Sequence, residues 1–389
     1  MTGFDSLGDG ERILAVLAIL YLWDCACWLP RSAAGFSGRG RNRRLTRPVA
    51  FLRNDRGGLV FFDLLPSSEL LICEAWPLSL SAEGIHFDAS ERPPAEPNFR
   101  AWHEVRSVES RERELLVNAI PAARCSSAEV AGFLAERLSK IASASPAQRG
   151  REIEALLADT TDTDVIAARL AALKTQGLAV RIAATVFFFY TFALGYFLLC
   201  VPSGVAHATL IFCGGLVLTW LATVGCFWHA HRSLFPTAGP ERRRRIAMML
   251  LLPPEAMRAP AALSRNLLVN FHPLAVAALV CSPKIFRELA RSTLLSLNHA
   301  AMPRREVAGA LSDDPQTSGW FSSRLLHHLA QVVRRAGLEA DELLQAPRTD
   351  ADALSYCPRC HAQFTVPAGS CRDCSDTALI AFVESKART

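Results

Sequence analysis

Four cysteines near the C-terminal end of the sequence carry its clearest chemistry. Cys357-Pro358-Arg359-Cys360 and Cys371-Arg372-Asp373-Cys374 form two CxxC pairs separated by ten residues. A CxxC turn brings two thiolates to one side of a tight loop, at the separation a tetrahedral Zn2+ with bonds of about 2.3 Å requires. A second such turn completes the shell. Four thiolates leave no open coordination position, so a metal held this way is structural and ties together a segment too small for its own core. Two other chemistries use the same residues: paired disulfides, which belong to oxidising compartments, and a thioredoxin-like redox pair, which needs one CxxC on a βαβ unit. His361 adjoins Cys360, is surplus to a four-cysteine site and is expected at the surface.

Around these cysteines the segment 355–384 resembles the zinc-ribbon family. Tyr356 and the run Phe364-Thr365-Val366 correspond to a strand after the first knuckle, Gly369 to the turn into the second, and Leu379 to Val383 to a closing strand. The resemblance implies that Cys357, Cys360, Cys371 and Cys374 ligate a structural Zn2+. Arg359 and Arg372 are offset by Asp373 and Asp376, and no stripe of aromatic and basic residues accompanies them. Nucleic-acid binding is therefore not favoured, and recognition of a protein is the expectation.

The elements that must carry this motif begin in lipid. The chain has 389 residues, 50% of them hydrophobic and only 20% charged, against about 25% charged in soluble domains. Long disorder, collagen and a small disulfide scaffold are excluded. Ile182 to Val201 and Ala208 to Trp228 each run about twenty residues without a charge, enough to cross a hydrocarbon core of about 30 Å. Only Pro202 to His207 separate them, so they form a helical hairpin. A third run, Ile13 to Leu29, is interrupted by Asp24. Asp5, Asp9 and Glu11 precede it against a single Arg12, opposite to the basic start of a secretory signal, so it reads as an uncleaved anchor.

Arginine sets the orientation. Arg31, Arg39, Arg41, Arg43, Arg44 and Arg47 follow the first run, Lys174 and Arg181 precede the second, and Arg232 and Arg242 to Arg245 follow the third. All fall on one side if the N-terminus is outside, the chain crosses three times and the C-terminus is cytoplasmic. The run Leu267 to Cys281 has basic flanks on both sides, which argues against a fourth crossing. With Ile246 to Leu252 it reads as core or as a membrane-surface helix. Arg242 to Arg245 read as a lipid-headgroup anchor.

Residues 48–119 hold short β-like runs: Val49 to Leu52, Leu59 to Leu64, Leu70 to Cys73, Gly84 to Phe87, Trp102 to Val108 and Leu115 to Val117. Turn signals at Arg56 to Gly58 and Pro93-Pro94 divide them. A helix then starts at Ser126-Ser127-Ala128-Glu129, with Val130, Phe133, Leu134, Leu138 and Ile141 on one stripe. Strands closed by one amphipathic helix resemble, by element order over residues 48–143, the pleckstrin-homology-like domains of bacterial membrane proteins. Another small β sandwich or barrel fits the same pattern. Glu152 to Leu173 continues as helix, interrupted by the polar stretch Asp159 to Asp164, and Ile285 to Leu297, Phe321 to Val333 and Leu338 to Leu344 are helical around a loop at Ser312 to Ser318.

The expectation is thus an α+β protein of the inner membrane with three transmembrane helices. Its parts are an anchor (1–30), a cytoplasmic β-rich domain with a C-terminal helix (45–145), a helical connector (146–180), the hairpin (182–228), a cytoplasmic helical region (229–350) and the zinc ribbon (355–384). Asp24 is the one charge within a predicted span, and Arg181 and His229 stand at the ends of the other two, so the three are expected to pair and fix helix packing. The other eight cysteines read as small apolar fillers, although Cys25-Ala26-Cys27 has the composition for a soft metal or a palmitate. His229, His231, His327 and His328 read as solvated or interfacial. No Gly-rich phosphate loop, HExxH or GxSxG occurs, so a binding or assembly role is favoured over catalysis. The partners expected are the lipid bilayer and a protein on its cytoplasmic side. A subunit of a membrane enzyme or transporter, with the hairpin forming part of a pathway, and a redox or zinc sensor are the alternatives.

Overall fold

A computed structural model describes residues 8–27, 33–37, 47–50, 71–74, 76–87, 99–125, 128–201, 207–236, 238–301, 315–358, 361–374 and 377–382. Helix α1 (Asp9–Cys27) is followed by strands β1 (Ala33–Ser37), β2 (Arg47–Ala50), β3 (Leu71–Glu74), β4 (Leu78–Leu80), β5 (Gly84–Phe87), β6 (Phe99–Ala101), β7 (Val108–Arg111), β8 (Glu114–Val117) and β9 (Ile120–Arg124). Helices α2 (Ala128–Ser143), α3 (Pro146–Thr161), α4 (Thr163–Gln176) and α5 (Leu178–Phe189) come next, α5 passing through a π turn at Tyr190–Leu194 into α6 (Gly195–Leu199). Then come α7 (Ala208–Leu234), α8 (Gly239–Leu251), α9 (Pro253–Met257), α10 (Ala259–Leu268), α11 (Pro273–Val280), α12 (Pro283–Ala301), α13 (Pro315–Arg335) and α14 (Ala340–Leu343). The short strands β10 (Ser355–Tyr356), β11 (Gln363–Phe364), β12 (Ser370–Cys371), β13 (Thr377–Ala378) and β14 (Ile380–Ala381) close the described chain.

These elements divide into two compact units, Met1–Ala75 with Asp164–Pro273, and Trp76–Thr163 with Leu274–Thr389. The first is built on two helices long and apolar enough to cross a membrane, Leu178–Leu199 and Ala208–Leu234. Small residues let them touch. A Cβ on Gly195 would meet the Phe212 ring and Leu14, and one on Gly215 would overlap the Tyr190 ring. Tyr190 stacks on Phe212 and its hydroxyl donates to the Ile211 carbonyl at 2.8 Å. Thr185, Thr191, Thr219 and Thr223 each donate to a carbonyl one turn back on their own helix. These four hydroxyls are in this way satisfied within their own helices.

Helix α1 lies antiparallel to the first of these helices. Its contacts step along both: Gly10 faces Leu199, Leu14 faces Gly195, and the Tyr21 ring meets Phe192 and Phe188 at centroid distances of 5.8 and 5.3 Å. Of the anchor expected over residues 1–30, Asp9–Cys27 is a helix, but Asp9, Glu11, Arg12 and Asp24 keep it out of the group that is apolar enough to count as a span on composition. The sheet of this unit has the order β2-β1-β3, all antiparallel.

In the second unit β4-β5-β6 and β7-β8-β9 are two antiparallel three-stranded meanders. Trp102, 1% exposed, donates its indole N–H to the Ser81 carbonyl at 2.9 Å, with the Arg149 guanidinium over its ring. Asn118 and Ala119, both at positive φ, make the two-residue turn from β8 to β9. The Asn118 side chain accepts from the Arg106 and Ser107 amides and donates to the Glu104 carbonyl, tying the turn to the chain before β7. Helix α2 packs on β7 and β8. It buries Val130, Phe133, Leu134, Leu138 and Ile141, the stripe read from the sequence.

Several local expectations change. The strand expected over Trp102 to Val108 is a 3-10 turn at Trp102–Glu104 between β6 and β7, because the buried indole takes the chain out of the sheet. Strand β9 falls outside the β-like runs of the sequence and pairs with β8 in a hairpin just before α2. Helix α13 starts at Pro315, inside the expected loop, whereas the break between α3 and α4 at Asp162 falls within the polar stretch that interrupts the expected helix. The β-rich domain expected over 45–145 divides at Ala75, since β1, from before that boundary, pairs with both β2 and β3. The helical region expected over 229–350 divides at Pro273, within the run Leu267 to Cys281, which is broken between α10 and α11. The run Leu59 to Leu64, the turn signals at Arg56 to Gly58 and Pro93-Pro94, and Ser126-Ser127 lie outside the described residues.

Replacing Gly215 with Leu should force the Tyr190 ring away and cost about 1–3 kcal/mol of stability, the usual range for overpacking. Gly214, whose Cβ would meet open space, is the control: Gly214→Leu should leave the thermal unfolding of detergent-solubilised protein unchanged, whereas Gly215→Leu lowers it.

Candidate functional site

The C-terminal cysteines lie on two short hairpins. In the first, β10 pairs antiparallel with β11, Ser355 opposite Phe364 and Tyr356 opposite Gln363. The connecting turn is closed by the Cys357 amide donating to the Ala362 carbonyl at 2.8 Å and the His361 amide donating to the Cys357 carbonyl at 2.9 Å. His361 takes up the left-handed conformation this tight turn requires, with φ of 62°. In the second hairpin β12 pairs with β13, Cys371 opposite Thr377, and Arg372–Cys374 form a 3-10 turn at its tip. Strand β14 returns beside β10, giving a sheet of order β11-β10-β14.

Cys357 and Cys371, 0% and 1% exposed, belong to one buried cluster with Phe364 and Leu379 packed against it. One thiol from each CxxC pair is thereby brought to the same place. Cys360 and the side chain of Cys374 lie outside the described residues. Among the described residues no group of three or more His, Cys, Asp or Glu could hold a metal. His361 is half-buried instead of fully on the surface, and burial pushes its imidazole pKa down.

The hairpin pair is seated on its own unit. Tyr356 shares a buried cluster with Leu295 of α12 and Ala346, with Ile380 and Phe382 packed against them. Gln363 clasps the preceding segment: its Oε1 accepts from the Thr349 and Asp350 amides at 3.1 Å, and its Nε2 donates to the Pro347 carbonyl at 2.6 Å. Arg348 lies over the Phe382 ring. These docking residues carry no local pattern beyond alternation, so only the fold reveals them.

The expected intramembrane group is described in part. His229 is exposed on α7 and Arg181 half-buried on α5, while the side chains of Asp24, Cys25 and Cys27 lie outside the described residues. The buried histidine of α7 is His231, set between the rings of Phe227 and Phe235, with the Asn266 amide 3.4 Å from its Nε2. His328 also differs from the solvated residue expected. Its Nε2 is 3.0 Å from Glu154, which also pairs with Arg324 at 3.0 Å, joining α13 to α3 across more than 150 positions of sequence. Among the filler cysteines, Cys125 and Cys281 are buried, and burial pushes the Cys281 thiol up to about 12.

Comparison with protein families, curated proteins and solved structures gives no match to the chain.

Gln363→Ala should release the segment 347–350 at a cost of about 1 kcal/mol, the net worth of solvent-exposed hydrogen bonds of this kind. Limited proteolysis should then cut between α14 and β10 at least several-fold faster than in the parent protein.

Proposed function

We propose that this chain is a multi-pass protein of the inner membrane whose cytoplasmic parts, including a C-terminal zinc ribbon, serve binding and assembly. The observation that carries the reading is the coupling of two structural facts. Two helices of membrane-crossing length expose apolar side chains such as Leu210 and Leu218, while one cysteine of each CxxC pair converges on a single buried cluster. The antiparallel packing of α1 on Leu178–Leu199 supports a third crossing. It sets Gly10 beside Leu199, at the end from which the hairpin turn leaves, so the N-terminus and that turn share a side. The basic residues after α7 then mark the cytoplasmic face.

The donor set fits a soft divalent cation. Cys357 and Cys371 sit at corresponding ends of two hairpins, and Cys360 and Cys374 follow each at the knuckle spacing. Bound there, Zn2+ would supply cross-linking of the two turns and no catalysis, since four thiolates fill its shell. The chain's own residues do the rest: Tyr356, Phe382 and Gln363 hold the hairpin pair against α12 and the segment before it. One face is thereby occupied by the same chain, and the hairpin tips and the edge at β11 are left for a partner protein. The closed contacts at Gly195 and Gly215, and the hydroxyls satisfied on their own helices, favour a structural hairpin over a transport pathway.

Protein purified from membranes should carry one zinc per chain by elemental analysis, and Cys357→Ser with Cys360→Ser should abolish it. Affinity capture from intact membranes with the parent and with that double variant tests the role. Loss of a reproducible partner together with zinc supports assembly through the ribbon, and an unchanged partner set with full zinc loss removes it.

A further inference from the structure

The structure assigns to α8 a place inside the cytoplasmic leaflet: it is a re-entrant helix whose far end is solvated by lipid acyl chains. The inference rests on the membrane reading above. It goes beyond that reading, in which α8 only follows the last crossing as a basic anchor.

Two contacts fix the path of α8. At its start the Arg242 guanidinium lies over the Trp228 ring, 5.5 Å from the centroid. Near its end the Met249 carbonyl accepts the Trp220 indole N–H at 2.9 Å. Trp228 to Trp220 is eight residues back along α7, and Arg242 to Met249 is seven residues forward along α8. At a rise of about 1.5 Å per residue these are about 12 and 10 Å, so the two helices run antiparallel in register. Trp228 ends the uncharged stretch of α7, and exposed tryptophan next to arginine belongs at the headgroup level. Trp220 is two turns deeper, and α8 has gone down with it.

The surface of α8 agrees with that depth. A helix lying flat on a bilayer separates charge from apolar residues across its axis. Here the separation is along the axis. Arg243 and Arg244 are exposed in the first half, while Met248, Leu250, Leu251 and Leu252 are exposed at the end, Leu251 to 74%. The same turn buries Met249 in the core that contains Val224 and Phe227 of α7. The apolar exposed group thus continues the lipid-facing surface of α7, where Leu218 is 70% exposed, and the arginines stand at the height of lipid phosphates. After Leu252 the chain turns inward at Pro253-Pro254 into α9, which packs against α1, α5 and α7. From there Arg258 reaches over the Tyr21 ring at 5.0 Å.

A photoreactive benzophenone amino acid placed at Leu251, at Leu218 and at Ile120 tests this in native membranes whose phospholipids are radiolabelled. Ile120 is an exposed apolar residue of the second unit and serves as the aqueous control. Irradiation should transfer label at Leu251 to an extent close to Leu218 and about tenfold above Ile120, as acyl-chain contact requires. The probe at Leu252 should repeat the result if substitution at Leu251 disturbs the helix. Label at both positions no higher than at Ile120, or cross-links to protein alone, with Leu218 labelled, overturns the re-entrant helix and leaves the membrane reading standing. Absence of label at Leu218 overturns the membrane reading itself and the present inference with it.

Discussion

The first unit depends on how closely its helices approach one another. In the lipid setting proposed above there is no hydrophobic drive for helix association, so packing would have to come from shape and from polar groups that find partners inside the bundle. Gly195 and Gly215 supply the shape. At Gly195 the hairpin helices and α1 meet at one point, with Phe212 and Leu14 both against the missing side chain. At Gly215 the Tyr190 ring lies where a side chain would be, and its hydroxyl reaches the Ile211 carbonyl. The π turn at Tyr190–Leu194 falls at this place, and inserting a residue into the helical repeat is one way to rotate Tyr190 toward its acceptor. Once these contacts are made, the direction of α1 along the first hairpin helix follows.

The docking of the C-terminal hairpins shows a different economy. A segment of about thirty residues cannot bury enough apolar surface to fold alone. It meets that shortage in two ways at once, with the buried Cys357 and Cys371 at one end and with Tyr356, Ile380 and Phe382 against Leu295 and Ala346 at the other. A metal at the cysteine end would fix the turns, while the aromatic end fixes the whole piece on α12. A platform already oriented in this way would lower the ordering cost of the partner recognition proposed above.

What the sequence discloses and what it hides divides along the range of the interactions. Helices with a sustained period were legible: the five residues that spacing picks out in α2 are all buried, and both long apolar helices form where uncharged runs stand. So were the strand at Gly84–Phe87 and the strand positions at Phe364 and at Ile380–Ala381. Pairings between distant segments were not. Nothing local to Ala33–Ser37 indicates that it joins Arg47–Ala50 to Leu71–Glu74. Glu154 and His328 are both ordinary polar residues until α13 packs on α3. Trp102 looked like a strand residue because aromatic residues favour strands, and burial of its indole against the Ser81 carbonyl overrode that preference.

The same distinction explains the charges of α8 to α10. In the sequence Arg242 to Arg245 and Arg258 are equivalent basic flanks of apolar runs, and a count of positive charge treats them alike. In the fold they are graded by depth. Arg243 and Arg244 are exposed, Arg245 is half-buried with Glu241 at 3.2 Å and Glu255 at 3.9 Å, and Arg258 is 4% exposed over the Tyr21 ring. A guanidinium taken out of water needs compensation from carboxylates and aromatic faces, and the deeper residues are those for which the bundle provides them. Tyr21 is in turn held by Phe188 and Phe192, so the face offered to Arg258 exists only when α1 has packed on the first hairpin helix. Burial of that charge is therefore conditional on the helix contacts near Gly195, which makes the assembly of α9 a consequence of the three-helix packing and not an independent event.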